Sequence, residues 1–556
     1  MITIKRGLPV LLALFLVFGV TACTDVAVNP KSSTSAANAL SEEGGYRAFL
    51  AKLYAGLAVA GQDRSDQNAD LVDVEAGLND PGWSNYTRVH WALQQLPTDA
   101  AVLAWNDQTI QDFNDNSWSS ADPFIEAMYS RIYFQAAQVN EFLRQSAEGR
   151  LEERGVPEEV RNQMPQWRAE ARFLRALSYW HGVDMFGDIP VVTEEFERGA
   201  QPPEQNTRQE AFEYVEQELL AITGEVEGDA PDEVLPDAGQ SEYGRVDKAA
   251  AWMVLAKLYQ NAPVYIGETR HQEVIEYTTK IIDSGVFRLE DEYHDLFLAD
   301  NDRSDEFIFA VPSDGNNTQA FGGTTFLAHA PVGGTLNGIA TDSLGIDGGW
   351  FGLRTLPNMV DRYSPDDTRP MFPNLPQDST LNGTGQWYKG AFQTKSVDDL
   401  RNFNNGLLAP KYQNVTSNGQ PASDQLIVDT DFPMFRLADA YLMYAEAVVR
   451  AGEDKSRAVS LVNEIRERAF GDQSGNINAS ELTLDFIIDE RARELFWEGH
   501  RRTDLIRFNR YAGSDYLWAW KGGNQEGTSI SEDLQLYPIP RSELQSNPNI
   551  EQNPGY

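Results

Sequence analysis

Between residues 431 and 510 apolar side chains return every third or fourth position, and that spacing leaves few folds open. Met434, Leu437, Tyr441, Ala445 and Val448 form one stripe, and Ala458, Leu461, Ile465 and Ala469 form a second. A period of about 3.6 puts each set on one face of an α-helix, and such a face must be buried against another element. Only Gly452-Glu-Asp454 stands between them. Glycine suits a left-handed C-cap and aspartate an N-cap, so the two helices are predicted to fold back antiparallel. A third stripe from Leu484 through Ile488, Ala492 and Leu495 extends the pattern. Helix hairpins of this kind are scaffold and carry no chemistry of their own.

The same periodicity recurs at 41–60 (Tyr46, Phe49, Leu53, Leu57), 123–143 (Ile125, Met128, Ile132, Ala136, Val139), 165–186, 208–222, 246–260 and 272–283. Several fall as consecutive pairs, which predicts a mainly α fold of tetratricopeptide-type hairpins, although the strict repeat of roughly 34 residues is not visible. Two stretches break the pattern. Residues 61–120 are expected to be irregular, with Trp83, Tyr86, Trp91, Trp105 and Trp118 among Asp, Asn and Gly. Residues 286–430 are dense in glycine and aromatics, including Phe321, Trp350, Phe351, Trp387 and Tyr388, and 306–311 alternates like a short strand. Irregular chain of this length inside a compact protein is usually functional surface, and its aromatic content argues against disorder. The proline-rich 511–556 is expected to lie extended over the body.

Charge removes one class of function. With 84 acidic and 45 basic residues the net charge is −39, which repels nucleic acid. It suits a halophilic setting and equally an ordinary well-solvated surface. The single cysteine, Cys23, permits neither an internal disulfide nor a cysteine-based metal site. Lys5 and Arg6 precede an apolar run at 8–20, shorter than the roughly 20 residues that a bilayer span needs. Val20-Thr-Ala-Cys23 resembles the lipobox of bacterial lipoproteins. That resemblance implies a signal peptide at 1–22, acylation of Cys23, a flexible tether at 23–40 and a body at 41–556. More than one acyl chain would anchor it firmly.

Catalytic and metal motifs are sought with little result. The six histidines show no close metal spacing, and neither a Gly-x-Ser-x-Gly elbow nor a phosphate-binding loop is present. Asp300-Asn-Asp302-Arg-Ser304 begins like a calcium loop, but Asp305 stands where glycine is needed and Val311 where the bidentate acid belongs. A looser structural calcium site stays open, and no cofactor is implied. Glu490, Glu494 and Glu498 recur every fourth residue, and a carboxylate pair can hydrolyse glycosides. Their interleaving with Arg491, Arg493, Arg501 and Arg502 favours a salt-bridged helix face instead, so no catalytic residue is expected.

Aromatics beside Asn, Asp and Arg suit carbohydrate. A sugar lays its apolar C–H face on an indole or phenol ring, and its hydroxyls need planar donors and acceptors. The candidate contacts are Trp83, Trp105, Asn106, Asp107 and Asp112 in the first loop region, and Trp350, Phe351, Arg354 and Tyr388 in the second. Core packing is the competing role for each tryptophan.

Several stretches resemble the SusD/RagB family of outer-membrane lipoproteins. They are Ala169-Glu-Ala-Arg-Phe-Leu-Arg-Ala176 with Met185-Phe-Gly-Asp-Ile-Pro-Val-Val192, Arg436 to Ala447, Asn463-Glu-Ile-Arg-Glu-Arg468, Glu494-Leu-Phe-Trp-Glu-Gly-His-Arg501, Tyr537-Pro-Ile-Pro540 and the stretch from Asn547 to Tyr556. Thr98-Asp-Ala-Ala-Val102 ahead of Trp105 is similar to a family segment in which glutamate usually stands at Ala100. The resemblance implies a SusD-like helical body with a loop-rich ligand-binding half. It implies a lipid-anchored protein of the outer membrane, facing the cell exterior. Such a protein would capture oligosaccharide or polysaccharide, without catalysis, as the lid of a SusC-like TonB-dependent β-barrel transporter. Peptide capture by a similar lid, or a surface glycosidase, are the alternatives.

Overall fold

The computed structural model describes residues 40, 44–61, 69–78, 82–107, 109–197, 199, 201–226, 232–333, 341–372 and 394–556. Cys23, Trp387 and Tyr388 lie outside the described residues. The chain divides into two compact units, 1–47 and 48–556, and every contact described below belongs to the second.

Helices dominate. α1 (Gly45–Ala58), α2 (Tyr86–Gln95), α3 (Pro123–Gln145), α4 (Met164–Phe186), α5 (Arg208–Thr223), α6 (Lys248–Gln260) and α7 (His271–Asp283) come first. α8 (Gly323–His329) lies in the loop-rich part; α9 (Leu437–Ala451), α10 (Ser456–Phe470), α11 (Leu484–Glu494) and α12 (Arg501–Arg507) follow. Their ends are chemically marked. Asp122 accepts from the amides of Phe124 and Ile125, with Pro123 opening α3. Thr207 and Glu210 cap α5 reciprocally. Gly452 ends α9 at φ 72°. α3 packs on α4, α4 on α5, α5 on α6, α6 on α7, α7 on α9, and α9 on α10. Each helix thus covers the apolar stripe that its neighbour cannot bury alone. Among the described residues no helix is long and apolar enough to cross a membrane.

The strands are short: β1 (Val102–Leu103), β2 (Phe307–Val311), β3 (Leu353–Arg354) and β4 (Phe432–Arg436). β2 pairs antiparallel with β4, Val311 opposite Phe432. Met434 therefore lies in a strand and not at the start of a helix. Every residue of β2 and β4 is buried, and a strand buried on both faces presents the same unbroken apolar run as a helix. Two further expectations change. Residues 61–120 contain α2, all of whose residues are buried. The helix through Glu490 stops at Glu494, because Trp497 (φ 59°) and Gly499 (φ 80°) take left-handed backbone before α12. Trp497 is fixed there by donating from Nε1 to the Ala100 carbonyl (3.0 Å) and accepting at its own carbonyl from Trp91 (2.8 Å). Glu498 sits in this break, off the face that carries Glu490 and Glu494.

Those glutamates belong to a buried ionic cluster. Glu494 accepts from Arg436 (2.6 Å), Arg468 (2.5 Å) and Arg369 (2.9 Å). Glu490 accepts from Arg369, Arg466 and Arg493. Glu498 takes Arg436 and Lys411, and Glu306 takes Arg436 and Arg468. The interleaved arginines largely look elsewhere: Arg491 to Asp439 and Asp504, Arg501 to Asp99, Arg502 to the carbonyls of Leu534 and Gln535. Burial opposes the charge of Glu490 and Glu494, but the guanidinium groups hold both carboxyls well below the ordinary range.

The tail closes the frame. Tyr537 donates to the Leu93 carbonyl (2.7 Å), and the Asn553 amide donates to the carbonyls of Phe186 and Tyr537. The proline-rich end thus holds the C-terminal ends of α2 and α4 together, with one short helix, Arg541–Ser546, inserted.

Replacing Arg436 with Met leaves three buried glutamates short of a cation, so urea or thermal unfolding is expected to show a loss of about 3–5 kcal/mol. Arg150→Met, which breaks an exposed pair with Glu153, is the control and is expected to cost less than about 1 kcal/mol.

Candidate functional site

Strand pairing joins the two loop regions. Val102 lies opposite Arg354 and Leu103 opposite Leu353, and the Ala104 amide donates to the Gly352 carbonyl (2.9 Å). A helix end leaves carbonyls without internal partners, and here the next chain supplies them. His329 accepts from the Trp350 amide (3.0 Å), Ala330 from Gly352 and Leu353, and Val332 from Phe351. This latch sets Trp350 beside Trp105. The Trp105 Nε1 donates to the Trp350 carbonyl at 2.8 Å, and the ring centroids lie 6.4 Å apart at 41°. Gly352 is required at the contact, since a Cβ there would lie 2.7 Å from Trp105 Cε2. The Trp350 ring stacks on His329 (4.7 Å, 17°) and meets the edge of Phe321 (6.2 Å). Burial lowers the His329 pKa, so its imidazole is neutral and Nδ1 donates to the Gly348 carbonyl (2.7 Å).

Polar groups flank the indoles. Asn106 and Asp107 are exposed directly after Trp105. Asp112, on the short helix Ile110–Asp115, is half-buried, and burial raises its carboxyl. Phe351 is 36% exposed and has φ 55°. That backbone is uncommon for an aromatic residue and persists only where the surroundings impose it. Its ring stands edge-on to Phe403 at 5.5 Å. The structure therefore brings Trp105 and Trp350 together, with Phe351 next to Trp350 in the chain and Asn106 and Asp107 exposed directly after Trp105.

Trp83 and Arg354 lie underneath and correct the expectation of direct contact. Both are 0% exposed. Trp83 packs on Trp105, Phe124 and Phe326, with the Arg88 guanidinium 3.7 Å above its ring. Arg354 donates to the carbonyls of Leu400 (2.5 Å) and Asn402 (2.8 Å). Side chains without exposed surface support the platform instead of meeting a ligand. Asp99, in the segment ahead of Trp105, is likewise structural: burial would raise its carboxyl, but Arg501 and Arg362 hold it low. His329, Phe321 and Phe403 are neighbours that periodicity did not single out; an aromatic-rich composition was their only signal.

Titratable groups converge elsewhere, around a cavity of about 30 Å³ lined by His90, His181, Lys257, His500 and Asp504. That volume holds about one or two waters, whereas ligand pockets take roughly 300–1,000 Å³. It is too small for a sugar unit. Among the described residues no group of three or more His, Cys, Asp or Glu is arranged to hold a metal. Asp300 of the calcium-like segment is engaged by Ser417 and Arg303. Burial, helped by Lys257, lowers all three cavity histidines, His90 to about 4.

In the unfolded chain those imidazoles take up protons near pH 6.5. Between about pH 6.5 and 4 the unfolded state thus binds more protons, and stability falls as pH falls, by up to about 1.4 kcal/mol per pH unit for each imidazole. His90→Gln is expected to flatten that slope in urea titrations from pH 7 to 5; an unchanged slope would refute the assignment.

Known proteins share this architecture. Residues 305–556 match the model of the SusD family, and residues 61–260 match a model described as starch-binding associating with outer membrane. Starch-binding protein SusD of Bacteroides thetaiotaomicron is 33% identical over 100% of this chain and 99% of its own length. SusD-like protein P2 of Formosa agariphila is 28% identical over 87% of this chain and 92% of its own. Surface glycan-binding protein A from Bacteroides thetaiotaomicron in complex with laminarihexaose superposes with a TM-score of 0.65 at 20% identity, covering 92% of this chain and 99% of that one. At that identity the likeness is one of fold.

Proposed function

This chain belongs to the SusD family, and from that premise we propose that it is a surface glycan-binding lipoprotein of the outer membrane. It captures oligosaccharide and passes it, without catalysis, to a SusC-like TonB-dependent transporter, with Cys23 as the lipid anchor. One observation carries the glycan reading: the Trp105 indole donates to the backbone carbonyl of Trp350, 245 residues away, which sets the two indoles side by side near exposed amide and carboxylate groups. Trp105, Trp350 and Phe351 offer apolar faces to sugar rings, and Asn106, Asp107 and Asp112 engage hydroxyls. Starch and laminarihexaose, named for relatives and a fold neighbour, make α- and β-glucans the first classes to try. The buried Glu490 and Glu494 carry no proton to donate near neutral pH, because their arginine partners keep them ionised. That speaks against a glycosidase built on them.

Calorimetry with maltoheptaose and laminarihexaose is expected to show binding to at least one, without release of reducing ends. Trp105→Ala and Trp350→Ala should each weaken it by about tenfold or more. Full affinity in both variants would mean that the site lies elsewhere. In the native host, Cys23→Ala should move the protein out of the membrane fraction.

A further inference from the structure

The turn at 399–405 is held with unusual care for a surface loop. Asp399 accepts from the Arg401 amide, the Asp399 amide donates to the Asn405 side chain, and the Asn404 amide donates to the Asn402 side chain. Beneath it, buried Arg354 donates to the carbonyls of Leu400 and Asn402. Among the described residues no carboxylate forms an ion pair with Arg354. The carbonyls and, at longer range, the Asp399 carboxylate of the same turn meet its charge, so the buried guanidinium is committed to shaping a single turn. The buried side of the turn is closed by Leu400, while Arg401, Asn402 and Asn404 are exposed and Phe403 is half-exposed.

Two separate ties bring this turn alongside the aromatic face. Phe403 stands against Phe351 at 5.5 Å. Arg401 donates from Nε to Gln111 (3.2 Å), whose own amide donates to the Trp105 carbonyl (2.8 Å). An aromatic ring flanked by a guanidinium and two planar amides repeats, on a second element, the chemistry that suits a sugar ring and its hydroxyls. Its preorganised backbone leaves little ordering cost to binding.

We propose that the turn at 399–405 is a further subsite of the glycan site, which extends it past Phe351 and makes it select longer chains. Phe403 stacks on a sugar unit beyond those on Trp105 and Trp350, and Arg401 and Asn402 bind its hydroxyls. Arg354 is the positioning residue. The inference rests on the indole platform being the glycan site.

Affinities for maltoheptaose and maltotriose, and for laminarihexaose and laminaritriose, test it with wild type, F403A, F403W, R401A and W350A, with urea midpoints as the folding control. F403A and R401A are expected to weaken the longer probe of the bound series about tenfold and the trisaccharide by less than about twofold, while F403W retains affinity and W350A weakens both lengths. If F403A leaves the longer probe unaffected, or weakens both lengths equally, while W350A acts on both, the subsite is refuted and the platform stands. If W350A has no effect on either length, or wild type binds neither series, the platform reading falls and this one with it.

Discussion

The structure turns on one buried set of charges. Arg436, at the end of β4, reaches Glu306 beside β2, Glu494 at the end of α11 and Glu498 in the break that follows. Arg468 from α10 and Arg369 from the loop-rich part complete it. Desolvating so many ions is expensive, and the cost is offset only where each one meets several partners in good geometry. The cluster therefore enforces a single arrangement of its parts. Its members come from the helical array and from the loop-rich region alike, so its ion pairs tie the two together.

The proposed glycan platform is likewise held by fixed partners. Aromatic faces bind a flexible polymer well only when they need no ordering of their own. Here the spare carbonyls of α8 hold the backbone of Trp350 and Phe351, the β1–β3 pair brings Trp105 to them, and Gly352 leaves room for the indole to lie close. Behind the platform, Trp83, Arg88 and Phe326 fill the space with ring and guanidinium stacking. The aromatics that meet solvent and those that do not are one continuous cluster, which is why residue type alone separates them poorly.

Some elements are governed by local rules. The paired helices, the Gly452 cap and the strand at 306–311 all follow from patterns within a few residues. Elsewhere the local sequence is ambiguous. Met434 sits in a strand buried on both faces, and Glu498 sits past a backbone break set by Trp497, whose left-handed conformation is imposed by contacts to Trp91 and Ala100. Trp83 and Arg354 resembled Trp105 and Arg401 in kind, yet their burial depends on chain more than 200 residues away in places, such as Phe326 behind Trp83.

By itself the sequence determined the helical repeats, the family and the kind of chemistry that the loops offer. Periodicity, caps and aromatic composition are properties of neighbouring residues and survive without a fold. Tertiary structure alone decided which aromatics form the exposed face, which arginines neutralise Glu490, Glu494 and Glu498, and that Arg354 clamps a turn. Each of these is set by desolvation and partner geometry between segments remote in sequence, and no local pattern records it.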